Sequence, residues 1–154
     1  MKFNLIDKIE SVSDTRLVGV KFVSLAEEYL ADHFPTFPVL PGVLMLEAIT
    51  QGAGWLLHRN RGFCCSLAVL KDARNVKYGN FVAPGNFLRV EVDLVKLTDG
   101  GGSFKALATV NDATAVSARI EMAYKNVSSE SAEPAEIDRR LIEHHRARWA
   151  LLNL

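Results

Sequence analysis

Cysteine is scarce in this chain. Cys64 and Cys65 are the whole complement, and they are adjacent. Sequence neighbours make poor disulfide partners, and two thiols without further ligands at metal spacing exclude both a disulfide framework and a cysteine metal centre. Reduced thiols in a cytoplasmic protein are the expectation. Charge of one sign is lacking too: 18 Lys and Arg stand against 18 Asp and Glu, for a net charge of zero. With no basic stretch interleaved with aromatics, nucleic acid is not an expected partner. The longest apolar stretch is broken by Glu47, Thr50 and Gln51, so no membrane insertion is expected. The start, MKFNLIDKIE, lacks the apolar segment of a signal peptide. Proline numbers only five, yet Pro35, Pro38 and Pro41 recur every third residue.

Those three prolines set up the most informative stretch, His33 to His58. Each fixes φ, removes a donor and pushes the preceding residue toward extended geometry. A helix therefore starts no earlier than about Pro41, where proline suits the first turn. Val43 to Leu57 is apolar almost all round, which predicts a helix Pro41–His58 buried on most sides. Gly52 and Gly54 cost helix propensity, and are expected where another backbone presses closely. Gly62 is the candidate C-cap.

The 154 residues, 49% of them apolar, suit one domain with a sizeable core. Before the helix, 6–12 and 16–23 read as strands joined at Ser13-Asp14-Thr15. Ser24 and Glu27 have the spacing of a capping box, predicting a short helix over 25–30. After the helix, 66–71 and 75–78 read as two short strands. Residues 87–97 follow, with Leu88, Val90, Val92 and Leu94 on one face. Gly100-Gly101-Gly102 is expected to form a flexible turn. Strands 104–110 and 113–125 meet at Asn111-Asp112, the latter burying Val116, Ala118, Ile120, Met122 and Tyr124. Two strands, one buried helix and several antiparallel strands define an α+β fold. Residues 127–136, rich in Ser, Glu, Ala and Pro, read as a linker between a domain over 1–126 and a helical extension over 137–154. The extension places Ile137, Leu141, His145, Trp149 and Leu152 on one side. His144 and His145 point different ways on a helix and make a poor metal pair.

Glu47 is the anomaly of the long helix. It lies between Leu46 and Ala48 and shares a face with Gln51 four residues on. Burying an unpaired carboxylate is costly, and a single helical Glu is more often a solvated edge residue. Apolar flanks, and a loop that delivers His33 just upstream, favour a catalytic acid. Gln51 is either a buried amide satisfying its neighbours or the group that orients Glu47. His58 continues the Glu47 stripe, and its expected role is a charge interaction with the helix C-terminus.

His33-Phe34-Pro35, Pro38-Val39, Pro41-Gly42-Val43-Leu44, Glu47-Ala48 and Gln51 together resemble the signature of the 3-hydroxyacyl-acyl-carrier-protein dehydratases of hot-dog fold. Arg74-Asn75-Val76-Lys77-Tyr78 with Val82-Ala83-Pro84-Gly85-Asn86, and Phe3, Leu5 and Asp7 at the start, extend the resemblance over residues 1–125. The chain departs from the pattern at Asp32 (usually Gly), Phe81 (commonly Pro) and Asn86 (usually Asp). Asp32, beside His33, is the departure that bears on chemistry.

The resemblance implies an antiparallel sheet wrapped around the central helix. It also implies a homodimer or larger homo-oligomer in which His33 of one subunit meets Glu47 of the other across the interface, around an acyl tunnel. Dehydration removes a C2 proton, suiting His33 as base, and expels the C3 hydroxyl, suiting Glu47 as a buried acid with raised pKa. The Gly42 N–H, at a helix N-terminus, suits the developing enolate oxygen. Phe34, Gln51, Tyr78 and Phe81 complete the expected substrate-binding set. No metal or other cofactor is needed. The implied partner is an acyl carrier protein, expected to dock on a basic rim of Arg59, Arg61, Lys71, Arg74 and Lys77. A hot-dog thioesterase is the competing enzyme class, disfavoured by the His33-Phe34-Pro35 loop. Glu47, rather than Asp, argues against the dehydratase-isomerase branch. A non-catalytic acyl or carrier-protein binding module is disfavoured by the intact His33 and Glu47.

Overall fold

The alternation of Leu88, Val90 and Val92, and of Val116, Ala118, Ile120, Met122 and Tyr124, puts one face of each strand into the core, as the pattern predicts. The computed structural model describes residues 3–129 and 135–154. Its strands are β1 (Lys8–Val12), β2 (Arg16–Phe22), β3 (Leu67–Tyr78), β4 (Phe87–Thr98), β5 (Gly101–Val110) and β6 (Ala113–Lys125). They form one sheet in the order β1-β2-β4-β5-β6-β3, antiparallel at every pairing. The sheet wraps helix α1 (Gly42–Asn60), which touches β2 through β6. Met45, Ala48, Ile49, Ala53, Leu56 and Leu57 face the sheet and are buried. This is the α+β hot-dog arrangement.

Pro41 caps α1 with extended ψ, and its carbonyl accepts from the Leu44 and Met45 N–H groups. At the other end Gly62 takes φ +60°, and the Phe63 N–H reaches back to the His58 carbonyl, a Schellman-type closure. The helix thus runs two residues past His58. It is less enclosed than its composition suggests: Val43 is exposed, and Leu44, Leu46 and Glu47 are half-buried.

Four local expectations need correction. The 66–71 and 75–78 segments are one strand, β3, whose alternation is interrupted by irregularities at Leu70/Asp72 and Arg74/Lys77, with Asn75 at positive φ. The Ser24–Glu27 pattern makes no capping box. Ser24 Oγ accepts from the Ala26 N–H, while the Glu27 carboxylate is taken by the buried Lys21 ammonium at 2.6 Å. Only Glu28–Leu30 forms a helical turn, of 3₁₀ type. The triple-glycine turn is shorter than expected, because Gly101 and Gly102 already pair with Ala123 and Met122. A Cβ at Gly101 would lie 1.9 Å from the Met122 carbonyl oxygen, so side-chain bulk is excluded there. In α1, Gly52 meets the side chains of Val90 and Val92 rather than a backbone, and Gly54 has ordinary space.

The C-terminal helix α2 (Ala135–Leu152) starts two residues before the predicted point. Of the expected linker, Val127–Ser129 form a 3₁₀ turn and residues 130–134 lie outside the described residues. The extension packs on the domain itself. Leu152 is buried, and Trp149 lies against Trp55 and Phe63. A polar clasp holds its first turns: the buried Asp138 carboxylate accepts from Ser66 Oγ and from the Val127 and Ser128 N–H groups. The Ser128 and Ser66 hydroxyls, helped by the Val127 and Ser128 N–H groups, hold the carboxyl down at about 2, below its ordinary value.

Candidate active site

The proline-rich loop does what its stiffness predicts. The Val39 N–H bonds the His33 carbonyl at 3.0 Å, and the Leu40 N–H bonds the Val82 carbonyl at 2.8 Å. His33 and Phe34 are joined by a cis peptide bond, and their rings stack with centroids 4.1 Å apart. The His33 Nδ1 lies 3.0 Å from the Val39 carbonyl oxygen. A carbonyl only accepts, so Nδ1 carries the proton and the neutral ring keeps its lone pair at Nε2. The ring nitrogen is thus partnered by Val39, and Asp32 points outward as an exposed residue.

Gly42 opens α1, and its N–H precedes any helical acceptor. A Cβ there would lie 3.1 Å from the Tyr78 ring, which covers this end of the helix. Tyr78, Phe34, Phe37 and Phe81 are all exposed in the single chain, with Phe37 and Phe81 edge-to-face at 5.6 Å.

Glu47 is half-buried, not fully buried as expected, because α1 turns that face away from the sheet. Gln51 Nε2 donates to Glu47 Oε1 at 2.9 Å and to the Phe3 carbonyl at 2.9 Å, while Gln51 Oε1 accepts from the Leu5 N–H at 2.9 Å. The Leu5 donor fixes which way the amide faces. Gln51 therefore bonds both the N-terminal segment and the Glu47 side chain.

Glu47 and Gln51 line a cavity of about 230 Å³ that continues along the same helical stripe past Gly54 and Trp55 to His58. His33, Phe34, Gly42, Tyr78 and Phe81 do not line it. Within one chain the expected site is therefore in two parts: among the described residues no hydrogen bond joins His33 to Glu47, and the cavity at Glu47 does not reach His33.

His58 differs from expectation. It is buried, with Nδ1 3.1 Å from the Tyr124 hydroxyl, which also accepts from the Cys65 N–H. Burial, reinforced by nearby His145, pushes its imidazole down to about 4. Near neutral pH it is an uncharged core group rather than a cation at the helix terminus. His144, His145 and Arg148 of α2 form part of the cavity wall. The stripe Glu47–Gln51–Trp55–His58 is visible as helical spacing, but the α2 side of the cavity has no local sequence signal. No group of three or more His, Cys, Asp or Glu among the described residues is arranged to hold a metal. No described helix is long and apolar enough to cross a membrane.

The five cations of the expected basic rim do not form one surface. Arg59 pairs with Asp14, Arg61 with Asp99, Lys71 with Glu121 and Arg74 with Asp72. Arg59 lies roughly 25 Å along α1 from Gly42, at 1.5 Å per residue. Lys77 is exposed beside Tyr78.

Residues 1–119 match the model of the FabA-like domain, and the chain belongs to that family. It is 36% identical over 121 residues to the 3-hydroxyacyl-acyl-carrier-protein dehydratase FabZ of Clostridium perfringens, covering 79% of this chain and 87% of that one. It is 38% identical over 125 residues to the FabZ of Acetivibrio thermocellus, covering 79% and 84%. Among solved structures, the dehydratase heterocomplex ApeI:P of Xenorhabdus doucetiae superposes with a TM-score of 0.67 at 21% identity, over 82% of this chain and 86% of that one. A hypothetical thioesterase of Streptococcus pneumoniae superposes at 0.58 and 14% identity, over 76% and 86%. Both superpositions reflect the shared fold.

Proposed function

We propose that this chain is a 3-hydroxyacyl-acyl-carrier-protein dehydratase of fatty acid biosynthesis or a related lipid pathway, converting 3-hydroxyacyl thioesters to trans-2-enoyl thioesters. The observation that carries the reading is the preset tautomer of His33. Its Nδ1–H is spent on the Val39 carbonyl, leaving Nε2 free to take the C2 proton. Glu47, held by Gln51, gives a proton to the C3 hydroxyl, which departs as water while the C2–C3 double bond forms. The Gly42 N–H steadies the negative charge on the thioester oxygen in between. Histidinium and carboxylate then exchange protons with solvent to restore the starting state.

The two parts of the site come together between subunits, His33 and Gly42 from one and Glu47 from its partner. Two features support a homodimer. Phe34, Phe37, Val43, Tyr78 and Phe81 expose apolar surface around the His33 end of the helix. The twelve-residue β3 lies at the sheet edge, where its unpaired side can take a second β3.

The test is hydration of trans-2-enoyl thioesters, the reverse reaction, by wild type, His33→Ala and Glu47→Gln. Each variant is expected to lose roughly 10²–10⁴-fold in turnover with the fold kept. Near-wild-type hydration by both, or thioester hydrolysis in place of hydration, would overturn the reading. Co-expressed His33→Ala and Glu47→Gln chains are expected to regain activity through mixed dimers holding one intact site. No rescue after demonstrated mixing would place each site within one chain.

A further inference from the structure

The cavity that starts at Glu47 is closed on one side by α2, which lies wholly beyond the residues that match the family domain. Most polar groups of its wall are already used. Thr50 Oγ donates to the Leu46 carbonyl, Gln51 is bonded at both ends, and His58 is paired with Tyr124. His145 Nε2 lies 3.0 Å from the Ser66 carbonyl oxygen, so it donates there. Arg148 differs. It is half-buried against the cavity and, among the described residues, has no ion pair or hydrogen bond. A guanidinium offers five donors in a fixed fork suited to carboxylate, and partial burial without an acceptor is costly. An engineered cavity of about 150 Å³ accepts benzene, so by scaling this one holds a tail of roughly nine non-hydrogen atoms.

Resting on the dehydratase reading, we propose that α2 makes this cavity the acyl-chain pocket, and that Arg148 is a specificity-determining residue. It favours short acyl chains with a carboxylate at the far end over plain alkyl chains of the same length. The C3 carbon sits at Glu47, the chain runs along the α1 stripe, and its terminal oxygens meet the Arg148 fork. The Asp138 clasp helps dock α2, and so Arg148, against the cavity.

Calorimetric binding of two saturated thioesters, adipoyl- and hexanoyl-N-acetylcysteamine, tests this without turnover. Wild type is expected to bind the carboxylate-ended thioester on the order of tenfold or more tightly, the scale of one charge-assisted hydrogen bond. Arg148→Met, which keeps the apolar stem, is expected to abolish that preference, and Arg148→Lys to keep part of it. Arg146→Ala, on the opposite side of α2, is expected to leave the preference intact. Equal binding of the two thioesters by wild type, or a preference that survives Arg148→Met, would overturn the inference. A third ligand, hexanoyl-phosphopantetheine, separates the other source of an anion: if Arg148→Met weakens only this ligand, Arg148 reads the carrier arm and the inference fails. Hydration activity without end-group preference removes the inference alone. Preference dependent on Arg148 without any hydration activity removes the dehydratase reading and leaves the pocket.

Discussion

Gln51 holds the Glu47 carboxylate at 2.9 Å, and its own amide is oriented by the backbone of the N-terminal segment. The acid's geometry therefore depends on Phe3 and Leu5, far from it in sequence. Gln51→Leu is expected to cost about 1–3 kcal/mol of stability, because the Leu5 N–H and Phe3 carbonyl lose their partner. It is also expected to lower turnover on the order of 10- to 100-fold through a misplaced carboxylate. Thermal melts and hydration rates check both, and unchanged turnover in a folded variant would remove Gln51 from the site.

The two glycines of α1 are expected to respond oppositely to alanine. A Cβ at Gly52 would lie 3.0 and 3.1 Å from Val92 and Val90, so Gly52→Ala should destabilise by about 1–3 kcal/mol through overpacking. At Gly54 the nearest atom is Ala68 Cβ at 3.5 Å, ordinary contact, so Gly54→Ala should stabilise by up to about 1 kcal/mol through helix propensity. Denaturant unfolding of both variants decides. Equal destabilisation would mean that the sheet presses on both turns alike.

Stability should fall with acid in two windows. His58 has a lowered imidazole pKa, so the unfolded chain binds its proton first, and stability is lost as pH drops from about 6.5 toward about 4. His145, lowered mainly by burial, acts in the same direction. Asp138 has a lowered carboxyl, so its contribution is complete above about 3.8 and disappears as pH falls toward about 2. Melting temperature against pH should show both losses, with Asp138→Asn removing the lower one. A profile flat from pH 7 to 4 would contradict the buried neutral His58.

Carrier-protein docking should depend on Lys77 and not on Arg59. Lys77 is exposed next to Tyr78, whereas Arg59 is paired with Asp14 near the far end of α1. Rim charges act mainly on encounter rate and salt dependence. Lys77→Glu is expected to reduce kcat/KM for carrier-borne substrates severalfold more than for N-acetylcysteamine thioesters, with Arg59→Glu affecting neither selectively. Equal losses on both substrate forms for Lys77→Glu would refute docking at this edge.

What the chain determined locally, it determined well. Proline spacing set the start of α1, Gly62 its end, and two-residue alternation the buried faces of β4 and β6. The loop histidine and the helical acid stand out as candidates because their neighbours form a long contiguous pattern. Where neighbouring groups compete, the pattern misled: Glu27 could cap Ser24 or pair with Lys21, and only the fold brought Lys21 within 2.6 Å. β3 read as two strands because its irregularities break the alternation on which that reading depends. Tertiary structure alone decided that His58 is buried and neutral, that four of the five rim cations already have acids, and that α2 lies against the Glu47 stripe. Periodicity reports which side of an element is apolar, but not which distant element covers it. Arg148 and Glu47 face one cavity because Asp138, Ser66 and the Trp55–Trp149 contact dock α2 there, through contacts between residues too far apart in the chain to leave a local trace.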